Sequence, residues 1–211
     1  MKYLPEVTVL THSAIRIQGP KTVYADPFHL KEEPHDADLI LITHDHHDHL
    51  SPEDIAKVAR RETRYALPAS CRAAAEQAGL PLAQCFFMQQ GESLEWEGVR
   101  IEAVPAYNVD KAFHTREKGY LGYVAQMLGR RYYIAGDTDD NEAVRQVRCH
   151  VALLPVGGTY TMTAAQAADL AGAIRPEIAV PTHYGDIVGE RGDGETFASL
   201  LDKGILCDIG M

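Results

Sequence analysis

No stretch of the 211 residues approaches the about 18 consecutive apolar positions that a membrane-spanning helix needs. The start, through Tyr3-Leu4-Pro5-Glu6-Val7, lacks the pattern of a secretory signal, so neither a membrane nor an export role is expected and the cytoplasm is the expected location. The four cysteines, Cys71, Cys85, Cys149 and Cys207, are scattered without a CxxC pair. That excludes a cysteine zinc clip and dithiol redox exchange, and leaves buried free thiols as the expectation. Basic excess is also missing: 20 Lys and Arg stand against 30 Asp and Glu, a formal charge of −10. Such a field repels phosphate backbones, and no basic stripe offsets it, so nucleic acid is not an expected partner. Low-complexity tracts, linkers and short repeats are absent as well. What remains is ordinary globular composition, 45% hydrophobic and 24% charged, which excludes collagen, coiled coil and tail-like chains and predicts one domain over residues 1–211.

The chain alternates strand and helix signals. Glu6 to Leu10, Ala14 to Gln18 and Thr22 to Ala25 are short, rich in β-branched residues and separated by turn chemistry, which predicts an antiparallel meander. Asp38 to Thr43 is a nearly continuous apolar run, the mark of a strand covered on both faces. Ser51-Pro52-Glu53-Asp54 then supplies an N-cap, a first-turn proline and early acids, predicting a helix to about Arg60. A short strand at Tyr65 to Leu67 and a helix from Ser70 to Ala78 follow. Strands are next expected at Glu92 to Trp96, Val99 to Val104, Gly119 to Leu128 and Arg131 to Ala135, with turns at Glu97-Gly98 and Gly129-Arg130. The last third reads as a strand from Val151 to Pro155, a helix from Thr163 to Ile174 and a strand from Glu177 to Pro181. Three of these strands run into polar residues at His44, Asp137 and His183, where function commonly sits.

Four of the ten histidines, His44, His46, His47 and His49, fall within six residues. A random chain of this composition would hold the pattern HxHxDH about 0.002 times. His44 and His46, two apart in extended backbone, project to one side. Asp48 and His49 follow where the loop tightens and turn toward a second point. Imidazole and carboxylate in this order can feed two neighbouring metal ions about 3.5–4 Å apart.

The motif His44-x-His46-x-Asp48-His49 resembles that of the metallo-β-lactamase fold superfamily. Thr11-His12-Ser13, Tyr24-Ala25-Asp26-Pro27-Phe28, Ala135-Gly136-Asp137-Thr138 and Pro181-Thr182-His183-Tyr184-Gly185 look like the branch containing ascorbate-6-phosphate lactonase-like hydrolases. The resemblance implies an α/β (α+β) fold, a four-layer αββα sandwich built from two similar halves, with a metal site at one edge between the sheets. It implies Asp137 as the carboxylate shared by both metals and His183 as the last ligand of the second. Each also stands at the exit of an apolar strand. A third histidine ordinarily completes the first site two residues beyond a proline and its neighbour, but Pro105-Ala106-Tyr107-Asn108 puts asparagine there. Either the Asn108 oxygen binds metal, favouring a harder ion such as manganese or magnesium, or His114 supplies the ligand, or the first site is weak.

His12 is expected to orient a ligand or line the pocket, and His47, alternating away from its neighbours, to lie outside direct ligation. Lys111, Tyr160 and Tyr184 are candidates for an anionic leaving group or oxyanion. His29, His35 and His150 carry no such signal.

The function expected is metal-dependent hydrolysis by a metal-activated water, with Asp48 and Asp137 as catalytic carboxylates, on a small ester, lactone, amide or phosphoester. Two zinc or manganese ions are the expected cofactors, with iron, nickel and magnesium as further candidates. A small anionic substrate remains compatible with the charge, since bound cations attract it locally, and an oligomer is compatible with exposed apolar strands. The alternatives are a mononuclear iron oxidoreductase of the same fold and a non-catalytic metal-binding protein.

Overall fold

The computed structural model describes residues 3–210. Its first half opens with an antiparallel meander of β1 (Val7–Thr11), β2 (Ala14–Gln18) and β3 (Thr22–Ala25). Val7 and Val9 alternate with more exposed neighbours on β1, as a strand with one covered face requires. The chain then switches to parallel strands, β4 (Ala37–Leu41), β5 (Ala59–Pro68) and β6 (Cys85–Met88). Every residue of β4 is buried, which accounts for its unbroken apolar run. Helix α1 (Pro52–Val58) connects β4 to β5 and starts where the Ser51 side chain accepts the Asp54 N–H. Helix α2 (Arg72–Gln77) follows β5 after a 3₁₀ turn at Ala69–Cys71.

The second half repeats the plan. β7 (Ser93–Trp96), β8 (Val99–Pro105), β9 (Leu121–Met127) and β10 (Arg130–Ile134) form an antiparallel meander. Parallel strands β11 (Val151–Pro155), β12 (Ile178–Thr182) and β13 (Leu206–Cys207) extend it. Helix α3 (Ala164–Ile174) opens with a complete capping box between Thr163 and Gln166, and α4 (Asp193–Leu200) lies between β12 and β13. The result is a six-stranded sheet, β1 to β6 in order, and a seven-stranded sheet, β13 to β7 in order.

Three apolar clusters define four layers. Val9, Ile17, Leu39 and Leu41 of the first sheet meet Ile101, Tyr123, Ile134 and Leu153 of the second. Ile55, Val58 and Ala75 cover the outer face of the first sheet at Ile40 and Leu67. Leu170, Ile174 and Phe197 cover the second at Tyr133 and Leu154. This is the αββα sandwich that the sequence resemblance implies. Among the described residues no helix is long and apolar enough to cross a membrane.

The strands expected for the first meander, for β8 to β12 and for β4 agree with those observed to within a few residues. Five differences stand out. α1 stops at Val58, short of Arg60, because Ala59 adopts extended backbone and begins β5. β5 is therefore far longer than Tyr65 to Leu67. The strand at Cys85–Met88, helix α4 and the short β13 were not expected.

Polar loops follow β1, β3, β4, β10 and β12 at one edge of the sandwich, and backbone bonds stitch the halves together there. Leu121 N–H donates to Thr43 O at 3.1 Å, and His183 N–H donates to His12 O at 2.9 Å. Gly136, with φ +64°, sits against Thr43, and a Cβ there would lie 2.9 Å from the Thr43 Cβ. Only glycine lets the β10 exit approach the β4 exit this closely.

Candidate metal centre

The apolar strand β4 delivers Thr43 and His44 to the edge, after which the chain folds into a tight turn. His49 and Leu50 N–H both donate to His46 O, at 3.0 and 2.8 Å. The turn separates the directions in which His44 and His46, and then Asp48 and His49, project. It leaves Asp45 to accept from the Tyr120 hydroxyl at 2.6 Å and His47 with an 81% exposed side chain. Loops from both halves complete two groups of ligand-type atoms, His44, His46 and His114, and His12, Asp48, His49 and His183, and a third, His44, His49 and Asp137, that joins them.

In the first group, His44 Nε2 and His114 Nε2 approach His46 Nδ1 at 3.1 and 3.2 Å. In the second, Asp48 Oδ2 lies 3.3 Å from both His12 Nε2 and His49 Nε2, and 3.7 Å from His183 Nε2. Asp137 stands between the groups. Its Oδ2 lies 3.1 Å from His183 Nε2, 3.3 Å from His114 Nε2 and 4.0 Å from His44 Nε2, and its Oδ1 lies 3.3 Å from His49 Nε2.

The outward ring nitrogens of His49, His44 and His114 are already engaged, which fixes the tautomers of these three. His49 Nδ1 lies 2.7 Å from Asp26 Oδ2 and donates to it. Thr43 Oγ1 donates to the same oxygen at 2.7 Å, leaving its lone pairs to accept from His44 Nδ1 at 3.0 Å. His114 Nδ1 donates to Asn108 Oδ1 at 3.0 Å. Each of these bonds leaves the inward Nε2 as a bare lone pair, the arrangement by which a neighbouring carboxylate or carbonyl prepares imidazole for metal.

Asn108 therefore occupies a different place from the one considered for it. Its oxygen accepts from both the backbone and the ring of His114, and its amide donates to Tyr160 O at 2.9 Å. His114, not Asn108, is brought to the His44 and His46 pair. Two other candidates have partners or surroundings of their own. Lys111 is tied to Asp139 and Asp110, which consumes its charge. Tyr184 is buried in the cluster beneath α3 and α4 and has no opening toward a substrate. Tyr160 stays at the rim, its ring edge-on to that of the exposed Phe113 at 4.6 Å between centroids. Sequence reading assigned no part to Asp26 or Thr43. The signal available was an acid in the Asp26-Pro27 turn after an apolar strand.

Left-handed backbone marks the same place: His12 (φ 44°), Asp26 (φ 43°) and His183 (φ 57°) are all outside the ordinary regions. Such conformations cost energy that surrounding contacts must hold, and they concentrate at functional sites.

Electrostatics follow from burial and the two acids. Burial lowers the pKa of His44 well below the usual imidazole range, and that of His114 to about 4. Burial alone would raise Asp48, but the facing imidazoles of His12, His183 and His49 hold it far below the usual carboxylate range. Asp137 is depressed in the same way by His183 and His49. Burial would lower His49, but Asp137 and Asp26 draw it up, so the pocket between the carboxylates favours positive charge.

The residues fit bound metal. His49 Nε2, His183 Nε2 and Asp137 Oδ1 are buried without a hydrogen-bond partner, a state that costs about 1–3 kcal/mol each unless something fills it. His44 Nε2 and His114 Nε2 both face His46 Nδ1, at 3.1 and 3.2 Å, and since a single proton there serves only one of them, a lone pair is left that a cation would satisfy. A donor set of imidazole and carboxylate suits first-row divalent ions.

Comparisons with known proteins agree in character. The profile of the beta-lactamase superfamily domain matches residues 6–183. A relative from Thermoplasma acidophilum, named UPF0173 metal-dependent hydrolase, is 34% identical over 201 residues, covering 90% of this chain and 87% of the relative. A crystal structure of a candidate metal-dependent hydrolase from Parabacteroides distasonis superposes with a TM-score of 0.79 at 31% identity, over 95% of this chain and 90% of that one. Igni18, a metallo hydrolase from Ignicoccus hospitalis, gives a TM-score of 0.74 at 25% identity, over 95% and 93%.

Proposed function

The chain belongs to the beta-lactamase superfamily, and on that premise we propose that it is a dinuclear metal-dependent hydrolase of small esters, lactones, amides or phosphoesters. The observation that carries this reading is the convergence of both ligand groups on one buried carboxylate, Asp137. His44, His46 and His114 would hold one ion, Asp48, His49 and His183 the other, and Asp137 would contact both. Bound metal would supply Lewis acidity and bring the pKa of water at the site toward neutrality.

The protein's own groups then divide the work. Asp26, Thr43 and Asn108 keep the ring nitrogens aimed inward. Asp48 Oδ2 faces three imidazoles, whereas Oδ1 has only the exposed His47 nearby, at 3.7 Å. Asp48 Oδ1 is thus the carboxylate oxygen left to take or return a proton, while Asp137, whose two oxygens face imidazoles of both groups, binds. With His114 in place of Asn108 the first centre is rich in nitrogen, which favours zinc or iron over manganese or magnesium. The surface charge of −10 favours a small substrate over a long polyanion.

A panel of small esters, lactones, amides and phosphodiesters, assayed with protein reconstituted in zinc or manganese, tests the reading. Turnover that disappears with chelator, and falls with metal content in Asp48→Asn, is expected. Inertness of fully metallated protein across the panel would point to a metal-holding role. Oxygen uptake by a single bound iron would point to the oxidoreductase alternative.

A further inference from the structure

Resting on the metal-centre reading, we propose that His12 is a positioning residue that donates a hydrogen bond from Nε2 to Asp48 Oδ2 and fixes that carboxylate toward the second ion. His12 lies between β1 and β2, where the strand register shifts between Val9 and Thr11. Such an irregularity re-aims a side chain. The residue has no solvent exposure, its carbonyl accepts the His183 N–H, and its ring lies 4.0 Å from that of His183. Backbone and ring are therefore both anchored to the loop after β12.

Three imidazole nitrogens surround Asp48 Oδ2, and their bonding separates their roles. His12 Nε2, at 3.3 Å, is placed as a hydrogen-bond donor to that oxygen. His49 Nε2 and His183 Nε2 make no hydrogen bond, although both are buried. His49, whose Nδ1 proton is committed to Asp26, presents a free lone pair at Nε2, and His12 does not. His12 Nδ1 is buried without an acceptor. A proton there would be stranded, whereas a proton on Nε2 reaches Asp48 and leaves only a lone pair unpaired, the cheaper deficit. His183 shares the unpartnered Nδ1, but its Nε2 faces two carboxylates, Asp137 at 3.1 Å and Asp48 at 3.7 Å, instead of one.

The test compares His12→Gln, which retains an N–H donor, with His12→Leu, which fills the space without one. Zinc affinity is read by calorimetric titration, the environment of the second ion by the visible spectrum of the cobalt-substituted protein, and folding by circular dichroism. The expected result is a second-site affinity about 10–100-fold weaker in His12→Leu, with kcat falling more than KM rises, and near-complete rescue in His12→Gln. If His12→Gln loses the second ion as fully as His12→Leu, His12 is itself a ligand and the proposal is overturned. If His12→Leu keeps affinity, spectrum and kcat, the residue only fills space, and the proposal is overturned in the other direction. Wild-type protein that takes up no ion refutes the centre and this role together, and shows itself before any variant is compared.

Discussion

At the scale of single residues, the pairing of Asn108 with His114 makes the sharpest distinction. His114→Ala removes a ring nitrogen from the first group, so one ion per chain should be lost. Asn108→Ala removes only the acceptor that fixes the ring, so both ions should remain at saturating metal with affinity about 10–100-fold lower. Elemental analysis after dialysis and a calorimetric titration check the two outcomes. The reverse pattern would restore Asn108 as ligand. The motif His44 to His49 was legible in the sequence because its ligands lie within one turn and their spacing is itself the geometry. The third ligand was not, because Asn108 and His114 sit on the same loop and only the folded loop decides which one reaches His46. Asp26 was hidden for a related reason: its partner His49 is 23 residues away, and nothing local distinguishes an aspartate that orients a histidine from one that makes a turn.

Among the elements, α1 shows how a helix start can anchor a loop. Asp54, buried in its first turn, accepts from Leu30 N–H at 2.9 Å and from Lys57 Nζ at 3.0 Å through one oxygen. Through the other it accepts from His29 N–H at 3.0 Å and from the Ser51 hydroxyl at 2.9 Å. Burial alone would raise its pKa, but Lys57 and these donors hold it below the ordinary value. Asp54→Asn should therefore destabilise the protein by about 1–3 kcal/mol at pH 7. A depressed folded-state pKa gives stability that is fully present above the unfolded value of about 3.9 and lost as pH falls through the folded one. The gap between wild type and variant should stay level from neutral pH to about pH 5 and close below about pH 4, as followed by urea denaturation across pH. A gap that widens on acidification would contradict this account. The helix start was legible from Ser51-Pro52 because caps are local signals. The beginning of β5 was not: the helix was expected to run to about Arg60 and the strand to start at Tyr65, whereas Ala59 and Arg64 pair with β4 across a charged stretch whose composition does not announce a strand. Likewise β13 exists through two register pairs with β12, which no short-range pattern encodes.

The whole molecule is two copies of one plan, a meander followed by parallel strands, packed face to face so that polar strand exits meet at one edge. The site draws His12, Asp26 and His44 to His49 from the first half and Asn108, His114, Asp137 and His183 from the second, so ions bound there bridge the halves. Metal should consequently stabilise the fold. At a concentration 100 times the dissociation constant each ion contributes about 2.7 kcal/mol, and chelation should lower Tm by about 5–10 °C per ion, recovered on adding zinc or manganese. An unchanged Tm in calorimetric scans would separate the metal from the fold. Most directly, the number of ions per chain decides whether a shared carboxylate holds a pair. Elemental analysis of protein saturated with zinc or manganese and then dialysed should return about two per chain, falling to about one in His114→Ala. One ion or none in the wild-type protein would contradict the account.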